Sequence, residues 1–157
     1  HCFNIIKNEY PQFGAAYPVV SHAELLFDLH KQGRLKPNGN STGSLTFHDS
    51  CYLSRWNGIV QPPRDLLRSM NNGQLTEMQR IREKGFCCGA GGGRMFMEET
   101  LGTRINADRA EEVMRSGAAT VAAACPFCAT MLSDGLMDKE SAIIVKDIAE
   151  IVDEATA

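Results

Sequence analysis

The sequence predicts an α/β protein of Rossmann-like type, in which a mostly parallel sheet is flanked by helices. Short apolar strands alternate along the chain with amphipathic helical segments, and this alternation is typical of parallel sheets. Two groups of cysteines come directly after predicted strands. Open α/β sheets bind ligands at that carboxyl edge, so we expect a functional site there.

The composition is that of an ordinary globular protein. The 157-residue chain is 43% hydrophobic and 22% charged, which suits one domain with a hydrophobic core. The net charge of −3 gives no reason to expect a nucleic-acid partner. No apolar run reaches the roughly 20 residues of a membrane span. We expect a cytoplasmic protein, and because the chain opens with His1 instead of Met, a fragment of a longer one.

The N-terminal part is predicted to form a helix, a strand and a second helix. The first helix covers residues 3–10 and a short buried strand covers residues 18–20. Ser21 is expected to cap the second helix, with Glu24 completing a capping box. The apolar face of that helix is predicted to be Leu25, Leu26 and Leu29.

The middle of the chain contains the first strand that leads to a cysteine. A polar, glycine-rich loop over residues 34–43 precedes a strand over residues 44–48. Residues 62–68 begin with two prolines and predict a helix, since proline is tolerated in a first turn. Residues 75–80 are assigned to a further strand.

The C-terminal half predicts two more strand–helix units. The longest helix is predicted over residues 98–116, followed by an apolar strand over 118–124 and a helix over 129–137. A last strand covers 142–145 and a closing helix 147–155. The inward positions of the longest helix are expected to be Leu101, Ile105, Ala110 and Val113.

Five of the six cysteines form a regularly spaced set. A lone cysteine, an adjacent pair and a Cys-x-x-Cys motif are separated by 35 and 36 residues. Thiolates are soft ligands that bind zinc, copper(I) or iron–sulfur centres, and adjacent cysteines readily reach two different iron atoms. Five thiolates exceed the four of an ordinary cluster. We therefore predict an iron–sulfur cluster on Cys51, Cys87, Cys88, Cys125 and Cys128, either unusual or with one cysteine left free.

Two other uses of the cysteines stay open. A structural zinc site takes four ligands, usually as two close pairs, and Cys125 with Cys128 is one such pair. The same Cys-Pro-x-Cys motif at a helix start is also suited to dithiol–disulfide chemistry, because a helix N-terminus lowers a thiol pKa.

Residues around the cysteines are candidates for contacts with the cluster. Glycines let the backbone approach a ligand and can present successive amide groups to it. Arg94 could offset negative charge, and His48 could hydrogen-bond to the site. A phosphate loop is disfavoured because the Gly-Lys-Ser/Thr ending is missing. The candidate glycines are Gly89, Gly91, Gly92 and Gly93.

The two ends of the chain align when shifted by 126 residues. Cys2 then falls on Cys128 and Glu24 on Glu150, with equal spacing from cysteine to helix. We predict that residues 1–33 are the tail of an earlier copy of the same unit. Cys2, a further candidate metal ligand, would be the last cysteine of that copy.

Three motifs together resemble the cysteine-rich CCG domain. They are His48-Asp49-x-Cys51, the run Phe86–Met95 and the run Ala124–Cys128. That domain occurs twice in one of the subunits of heterodisulfide reductase and also in iron–sulfur subunits of glycolate and lactate oxidases. Asn57-Gly58 and Pro62-Pro63-Arg64 make the chain look most similar to large membrane-associated iron–sulfur oxidoreductases linked to electron-transfer flavoprotein.

The resemblance implies both a cofactor and a role. It implies a [4Fe-4S] cluster, non-cubane as in heterodisulfide reductase, on the five matching cysteines, and electron transfer from a flavin or thiol donor towards quinone or another carrier. The implied partners are an upstream ferredoxin-like and CCG part of the same protein and a flavoprotein or quinone-linked protein. The full protein would be cytoplasmic or associated with the cytoplasmic membrane face. Residues 1–33 would end a preceding CCG repeat, and residues 44–157 would form the CCG domain.

Overall fold

A parallel sheet lies at the centre of the fold. The structure is a computed structural model that describes residues 2–39 and 43–157, so that His1 and part of the predicted loop over 34–43 lie outside the described residues. Within these ranges, β1 (Leu45–His48), β2 (Thr120–Ala123) and β3 (Ile144–Asp147) form a three-stranded sheet in the order β1-β2-β3. Both strand pairs are parallel. The predicted α/β class with a parallel sheet is thereby confirmed.

Helices cover both faces of this sheet. They are α1 (Cys2–Asn8), α2 (His22–Lys31), α3 (Ser54–Asn57), α4 (Gln61–Met70), α5 (Ile105–Arg115), α6 (Pro126–Met137) and α7 (Ile148–Thr156). Short 3₁₀ turns occupy Tyr10–Phe13, Arg82–Lys84 and Gly91–Phe96. None of the helices in the described ranges combines the length and the apolar character that crossing a bilayer requires.

The core divides into two layers because successive residues of a strand point to opposite faces. Ala122 of β2 packs in the layer that contains side chains of α2, α4 and α7. Val121 and Ala123 pack in the other layer, against α5 and α6. All four residues of β2 are buried, as expected for the central strand of a covered parallel sheet.

Two N-terminal expectations need correction. Residues 18–20 are not a strand: they pair with no strand among the described residues, and Val20 is 59% exposed. The capping box of Ser21 and Glu24 is present, but Leu25 on the predicted apolar face is 51% exposed. Ala23 takes the buried position because α2 turns a narrower apolar stripe towards α4 and α7.

Other element boundaries also differ from the prediction. Residues 75–80 make a single bridge, between Thr76 and Thr46, instead of a strand. The helix predicted to be the longest, α5, begins at Ile105 and has 11 residues, one fewer than α6. Leu101 lies outside it and is 91% exposed. Gly102 has a φ of +69°, which stops a helix from extending through residues 98–104.

The helix after β2 begins earlier than predicted. Pro126 is its first residue, so Cys128 lies in the first turn of α6 and Cys125 is the N-cap. Proline lacks the N–H that a first-turn residue would leave unused, which makes this start favourable. The last strand and α7 each begin one or two residues later than expected.

Candidate metal centre

All six cysteines line one cavity of about 520 Å³. They are free thiols in the structure. Cys51 follows β1, the adjacent pair comes from the loop before the 3₁₀ turn at Gly91, and the Cys-x-x-Cys motif follows β2. Cys2 reaches the cavity from α1. The fold therefore gathers sulfur atoms from three distant loops and from the N-terminal helix.

Parallel pairing places two of these loops side by side. His48 at the end of β1 pairs with Ala123 at the end of β2, so the chain after each strand emerges at the same edge of the sheet. Cys51 and Cys125 follow within three residues of those strand ends. This is the carboxyl edge at which open parallel sheets bind ligands.

Residues close to Cys51 in the sequence hold the loop that carries Cys87 and Cys88 in place. The Asp49 carboxylate accepts a hydrogen bond of 2.6 Å from the backbone N–H of Arg82. The Arg55 guanidinium donates to the carbonyl of Gly85 at 2.7 Å. Both contacts fix the turn that immediately precedes the adjacent cysteines, which is why those cysteines meet the first one.

A buried ion pair in turn fixes Asp49. The Arg64 guanidinium binds both Asp49 carboxylate oxygens at 2.7 Å and also contacts Glu77 at 2.8 Å. Arg64 and Asp49 are almost completely buried. Bidentate geometry of this kind is rigid as well as strong, so it fixes the position of the loop that bears Cys51.

The Cys88 thiol is the centre of the sulfur network. It accepts hydrogen bonds from Cys128, Cys87 and His48, and these lower the pKa of Cys88 well below its usual range. One ring nitrogen of His48 and the sulfur atoms of Cys88 and Cys128 all lie within 4.8 Å of one another. Negative charge thus concentrates at Cys88.

The neighbouring thiols respond to this charge. Donation to Cys88 and burial raise the pKa of Cys87, and donation to Cys125 and Cys88 raises the pKa of Cys128. Burial raises the pKa of Cys51. Hydrogen bonds from the Cys128 thiol and from two backbone amides lower the pKa of Cys125 to about 6. The raised pKa values mean that all five thiols would ionise together only with bound cations to offset their charge.

Backbone N–H groups also point at the sulfur atoms. Gly89 N–H donates to Cys87 Sγ at 3.3 Å. The amides of Tyr52, Ala90 and Phe127 donate to Cys51, Cys88 and Cys125. Hydrogen bonds to sulfur are a common feature of iron–sulfur sites, where they offset charge and tune the potential. The donor pattern therefore fits a thiolate-bound iron–sulfur cluster.

Ser50 supplies one further polar group at the cavity. Its residue is 3% exposed and lines the cavity, and its Oγ has no hydrogen-bond partner among residues 2–39 and 43–157. A buried hydroxyl without a partner is costly. A cluster sulfide in the cavity would give this hydroxyl an acceptor, which is a second indication that the site fits such a group.

The predicted glycine loop has two distinct parts. Gly89 has a φ of +91°, and a Cβ there would lie 3.1 Å from Ile105 Cβ and 3.3 Å from Met131 Cε. Gly91 and Gly92 line the main cavity, whereas Gly93 does not. Gly89 does not line the main cavity either, and its backbone lies close to α5 and α6 instead.

Arg94 does not line the main cavity. It lies with Gly89 and Cys87 at a smaller cavity of about 330 Å³, where its guanidinium contacts Glu99 at 2.6 Å. Its side chain is 57% exposed. The expected charge compensation at the cluster is thus better supplied by the backbone amides than by Arg94.

His48 is buried beneath the thiols, and its environment includes residues that sequence reasoning missed. Its Nδ1 accepts a hydrogen bond of 3.1 Å from Arg109 Nε, and Arg109 contacts Glu112 at 2.9 Å. Burial lowers the pKa of His48, so the ring is neutral. A signal was present: both charged residues fall on the inward face of α5 with Val113, a position where charge needs a partner.

A family of known proteins and several individual proteins are similar to this chain in sequence. A family described as a cysteine-rich domain, CCG, matches residues 45–133. A probable iron–sulfur-binding oxidoreductase, FadF, of Bacillus subtilis is 46% identical over 97% of this chain and 22% of its own length. An EtfAB:quinone oxidoreductase of Syntrophomonas wolfei is 39% identical over 97% of the chain and 22% of its own length.

Archaeal proteins match as well. A subunit of the dihydromethanophenazine:CoB–CoM heterodisulfide reductase of Methanosarcina mazei is 34% identical over 98% of the chain and 38% of its own length. The chain thus spans between about a fifth and two fifths of the length of these relatives. The match over residues 45–133 confirms the resemblance drawn from the cysteine motifs.

Proposed function

We propose that this chain, which belongs to the CCG family of cysteine-rich domains, is an iron–sulfur electron-transfer module of an oxidoreductase. The observation that carries the proposal is the convergence of the cysteine thiols from three loops in one cavity. The relatives' descriptions as an iron–sulfur-binding oxidoreductase, a quinone oxidoreductase and a heterodisulfide reductase subunit support the redox class.

We further propose that the cofactor is a [4Fe-4S] cluster and that its ligands are the five spaced cysteines. The cluster, when bound, would supply one-electron chemistry. The protein would hold it with thiolates, stabilise its negative charge with the N–H groups of Gly89 and Ala90, and limit water access through burial of Cys88 and Cys128. The ligands would be Cys51, Cys87, Cys88, Cys125 and Cys128.

Residues 1–33 are proposed to end a preceding CCG repeat, and residues 44–157 to form the domain described here. In support, α2 and α7 both begin with a capping box, made by Ser21 and Glu24 in one and by Asp147 and Glu150 in the other. The two boxes are separated by the same 126 residues that align the sequence. Cys2 would then be a ligand of the preceding repeat, although it also lines this cavity.

The proposed partners follow from the names of the relatives. One relative is described as an EtfAB:quinone oxidoreductase and another as part of a heterodisulfide reductase. We propose an upstream ferredoxin-like part of the same protein as one partner and a flavoprotein or quinone-linked protein as another. The full protein would act in the cytoplasm or at the cytoplasmic face of the membrane.

Zinc binding is a second candidate function, and one observation favours it. His48, Cys88 and Cys128 present ligand atoms within 4.8 Å of one another, a separation suited to a single ion with thiolate and imidazole ligands. Dithiol–disulfide chemistry at Cys125 and Cys128 is a third, favoured by the low pKa of Cys125, about 6. Redox spectroscopy distinguishes these functions from electron transfer through a cluster.

The test is anaerobic reconstitution with iron and sulfide, followed by reduction with dithionite and reoxidation under electron paramagnetic resonance. We expect a reversible one-electron signal in the wild-type chain and its loss in Cys88→Ser. Stoichiometric zinc that iron and sulfide do not displace, with no such signal, would replace the proposal by the zinc site. A signal that Cys88→Ser leaves unchanged would overturn the ligand assignment.

A further inference from the structure

Arg109 is a completely buried arginine whose Nε and Nη1 contact three groups, while its Nη2 has no hydrogen-bond partner among residues 2–39 and 43–157. Nε donates to His48 Nδ1 at 3.1 Å, and Nη1 donates to the carbonyl of Arg80 at 3.1 Å. Nη1 also contacts the carboxylate of Glu112 at 2.9 Å. The ion pair with Glu112 offsets the cost of burying the guanidinium charge, and the Nε hydrogen bond joins Arg109 to His48.

The contact with Arg109 determines which nitrogen of His48 carries the proton. A guanidinium has only donors and does not lose its proton in proteins. His48 Nδ1 must therefore accept the hydrogen bond through its lone pair. A neutral imidazole carries one ring proton, so that proton is on Nε2.

The protonated nitrogen then serves the thiol network. One ring nitrogen of His48 and the Cys88 sulfur lie within 4.8 Å of each other. With Nδ1 occupied by Arg109, Nε2–H is the ring group available to donate to Cys88 Sγ. A nitrogen that carries a proton has no lone pair for a metal ion. In this tautomer His48 is therefore a hydrogen-bond donor to Cys88, and the zinc site on His48, Cys88 and Cys128 would require the other tautomer.

We propose that Arg109 is a positioning residue that holds His48 in the Nε2–H tautomer, so that His48 donates a permanent hydrogen bond to the Cys88 sulfur. The inference rests on the proposed function where it concerns the cluster, because Cys88 is taken as a cluster ligand. Its structural part does not depend on the cluster. A donor on the thiolate stabilises the more negative, reduced state of a cluster, so we expect this pair to raise the reduction potential.

The tautomer is measured directly by nitrogen-15 nuclear magnetic resonance of the histidine rings in the metal-free 157-residue chain. We expect the wild-type ring of His48 to be neutral with the proton on Nε2. We expect Arg109→Lys, which keeps a charged donor, to preserve that tautomer, and Arg109→Met to change or mix it. A wild-type ring with the proton on Nδ1, or one that is doubly protonated at neutral pH, would overturn the proposal.

Arg115→Met is the matched control, because Arg115 is on the same helix but its side chain is 63% exposed and pairs on the surface with Glu111. We expect this control to leave the His48 ring unchanged. If Arg109→Met does not fold, the comparison of His48→Gln with His48→Leu provides the test instead. Its amide can donate to Cys88 and accept from Arg109, so it should retain most of the effect on potential that His48→Leu loses.

A double-mutant cycle on the reconstituted chain separates positioning from simple charge. We expect Arg109→Met and His48→Leu each to shift the midpoint potential to more negative values. If Arg109 acts through His48, then Arg109→Met adds no further shift in the His48→Leu background. An equal shift in both backgrounds would show a direct effect of charge and overturn the positioning role.

The two experiments also separate this proposal from the proposed function. A wild-type chain that takes up no iron and sulfide but shows the expected tautomer would contradict the cluster and leave the role of Arg109 towards His48 intact. A chain that forms the cluster but carries the His48 proton on Nδ1 would contradict the role of Arg109 and leave the proposed cluster intact.

Discussion

At the scale of single residues, Gly89 is where the backbone is most constrained beside the thiols. Its φ of +91° is unfavourable for other residues, and a Cβ would approach Ile105 Cβ to 3.1 Å and the Asn106 nitrogen to 3.3 Å. We expect Gly89→Ala to lower the free energy of unfolding by about 1–3 kcal/mol and to reduce iron uptake, because the N–H that donates to Cys87 would move. Urea unfolding and iron analysis measure both effects.

Two glycines of the same loop provide controls for that change. Gly91 has no positive φ, and no heavy atom lies within 4 Å of the point that a Cβ would occupy there. Gly91→Ala should therefore change stability by less than about 0.5 kcal/mol. Gly92, with a φ of +64° in open space, should give an intermediate loss. Equal losses at Gly89 and Gly91 would contradict the assignment of the close approach to Gly89.

Glu112 makes stability depend on pH. Burial raises the pKa of Glu112, but the backbone N–H of Arg80 and the charge of Arg109 lower it by more. The pKa of Glu112 is therefore below its usual value. The contribution of the charge is therefore complete above the unfolded-state pKa of about 4.3. It is lost as the pH falls from that value through the lower folded-state pKa.

The corresponding variant is Glu112→Gln. We expect it to lower the free energy of unfolding by about 2 kcal/mol at neutral pH. The free energy of unfolding should then fall less steeply between pH about 5 and the acid transition. Urea unfolding at a series of pH values measures both effects. Glu111→Gln is the control, because Glu111 lies on the same helix but is 48% exposed. A Glu112 variant with the same pH profile as the wild type would contradict the assigned role.

The residues of the site could be predicted to different extents. The spacing of the cysteines identified them as a set, and the sheet edge explains why that spacing brings them together. Ser50 could not be identified, since a serine before a cysteine is common in any sequence. Arg109 was indicated only by its position on the inward face of α5, which does not tell what it contacts. Only the packing of α5 against β1 shows that Arg109 faces His48.

At the scale of elements, α5 and α6 cross at Gly135. A Cβ at Gly135 would lie 2.7 Å from the carbonyl oxygen of Asn106 and 3.2 Å from Ala110 Cβ. Although alanine normally stabilises a helix relative to glycine, we expect Gly135→Ala to destabilise the chain by about 1–3 kcal/mol through overpacking. Thermal unfolding measures the change.

Ser133→Ala provides the comparison within α6, because Ser133 is exposed. We expect it to be neutral or stabilising by no more than about 0.5 kcal/mol, through helix propensity. If Gly135→Ala were to stabilise the chain as much as Ser133→Ala, the close contact between α5 and α6 would not exist in solution.

The type of an element is predicted best where its apolar pattern or its cap is unambiguous. The apolar strand around Val121 and the capped helix after Ser21 were predicted correctly in type. The segment before Ile105 was not, since helix-forming residues there are interrupted by Gly102. The apolar character of residues 18–20 predicts a strand, but in the part of the chain that the structure describes no strand pairs with them.

At the scale of the whole molecule, Cys2 tests the repeat. It lies on α1 and is exposed, whereas Cys88 and Cys128 are buried at the centre of the thiol network. We expect Cys2→Ser to leave the iron content of this chain unchanged, because its proposed ligand role belongs to the preceding repeat. A loss of iron as large as that caused by Cys88→Ser would assign Cys2 to this cluster and contradict the division at residues 1–33.

The account as a whole requires that the five thiols bind iron and sulfide together. The most direct measurement is the content of iron and acid-labile sulfide per chain after anaerobic reconstitution, in the wild type and in single serine variants of the five cysteines. We expect about four of each per wild-type chain and a clear reduction in variants from all three loops. Iron without acid-labile sulfide would contradict the cluster. A wild-type content of iron and sulfide in every serine variant of one loop would also contradict the binding of the cluster by all five thiols.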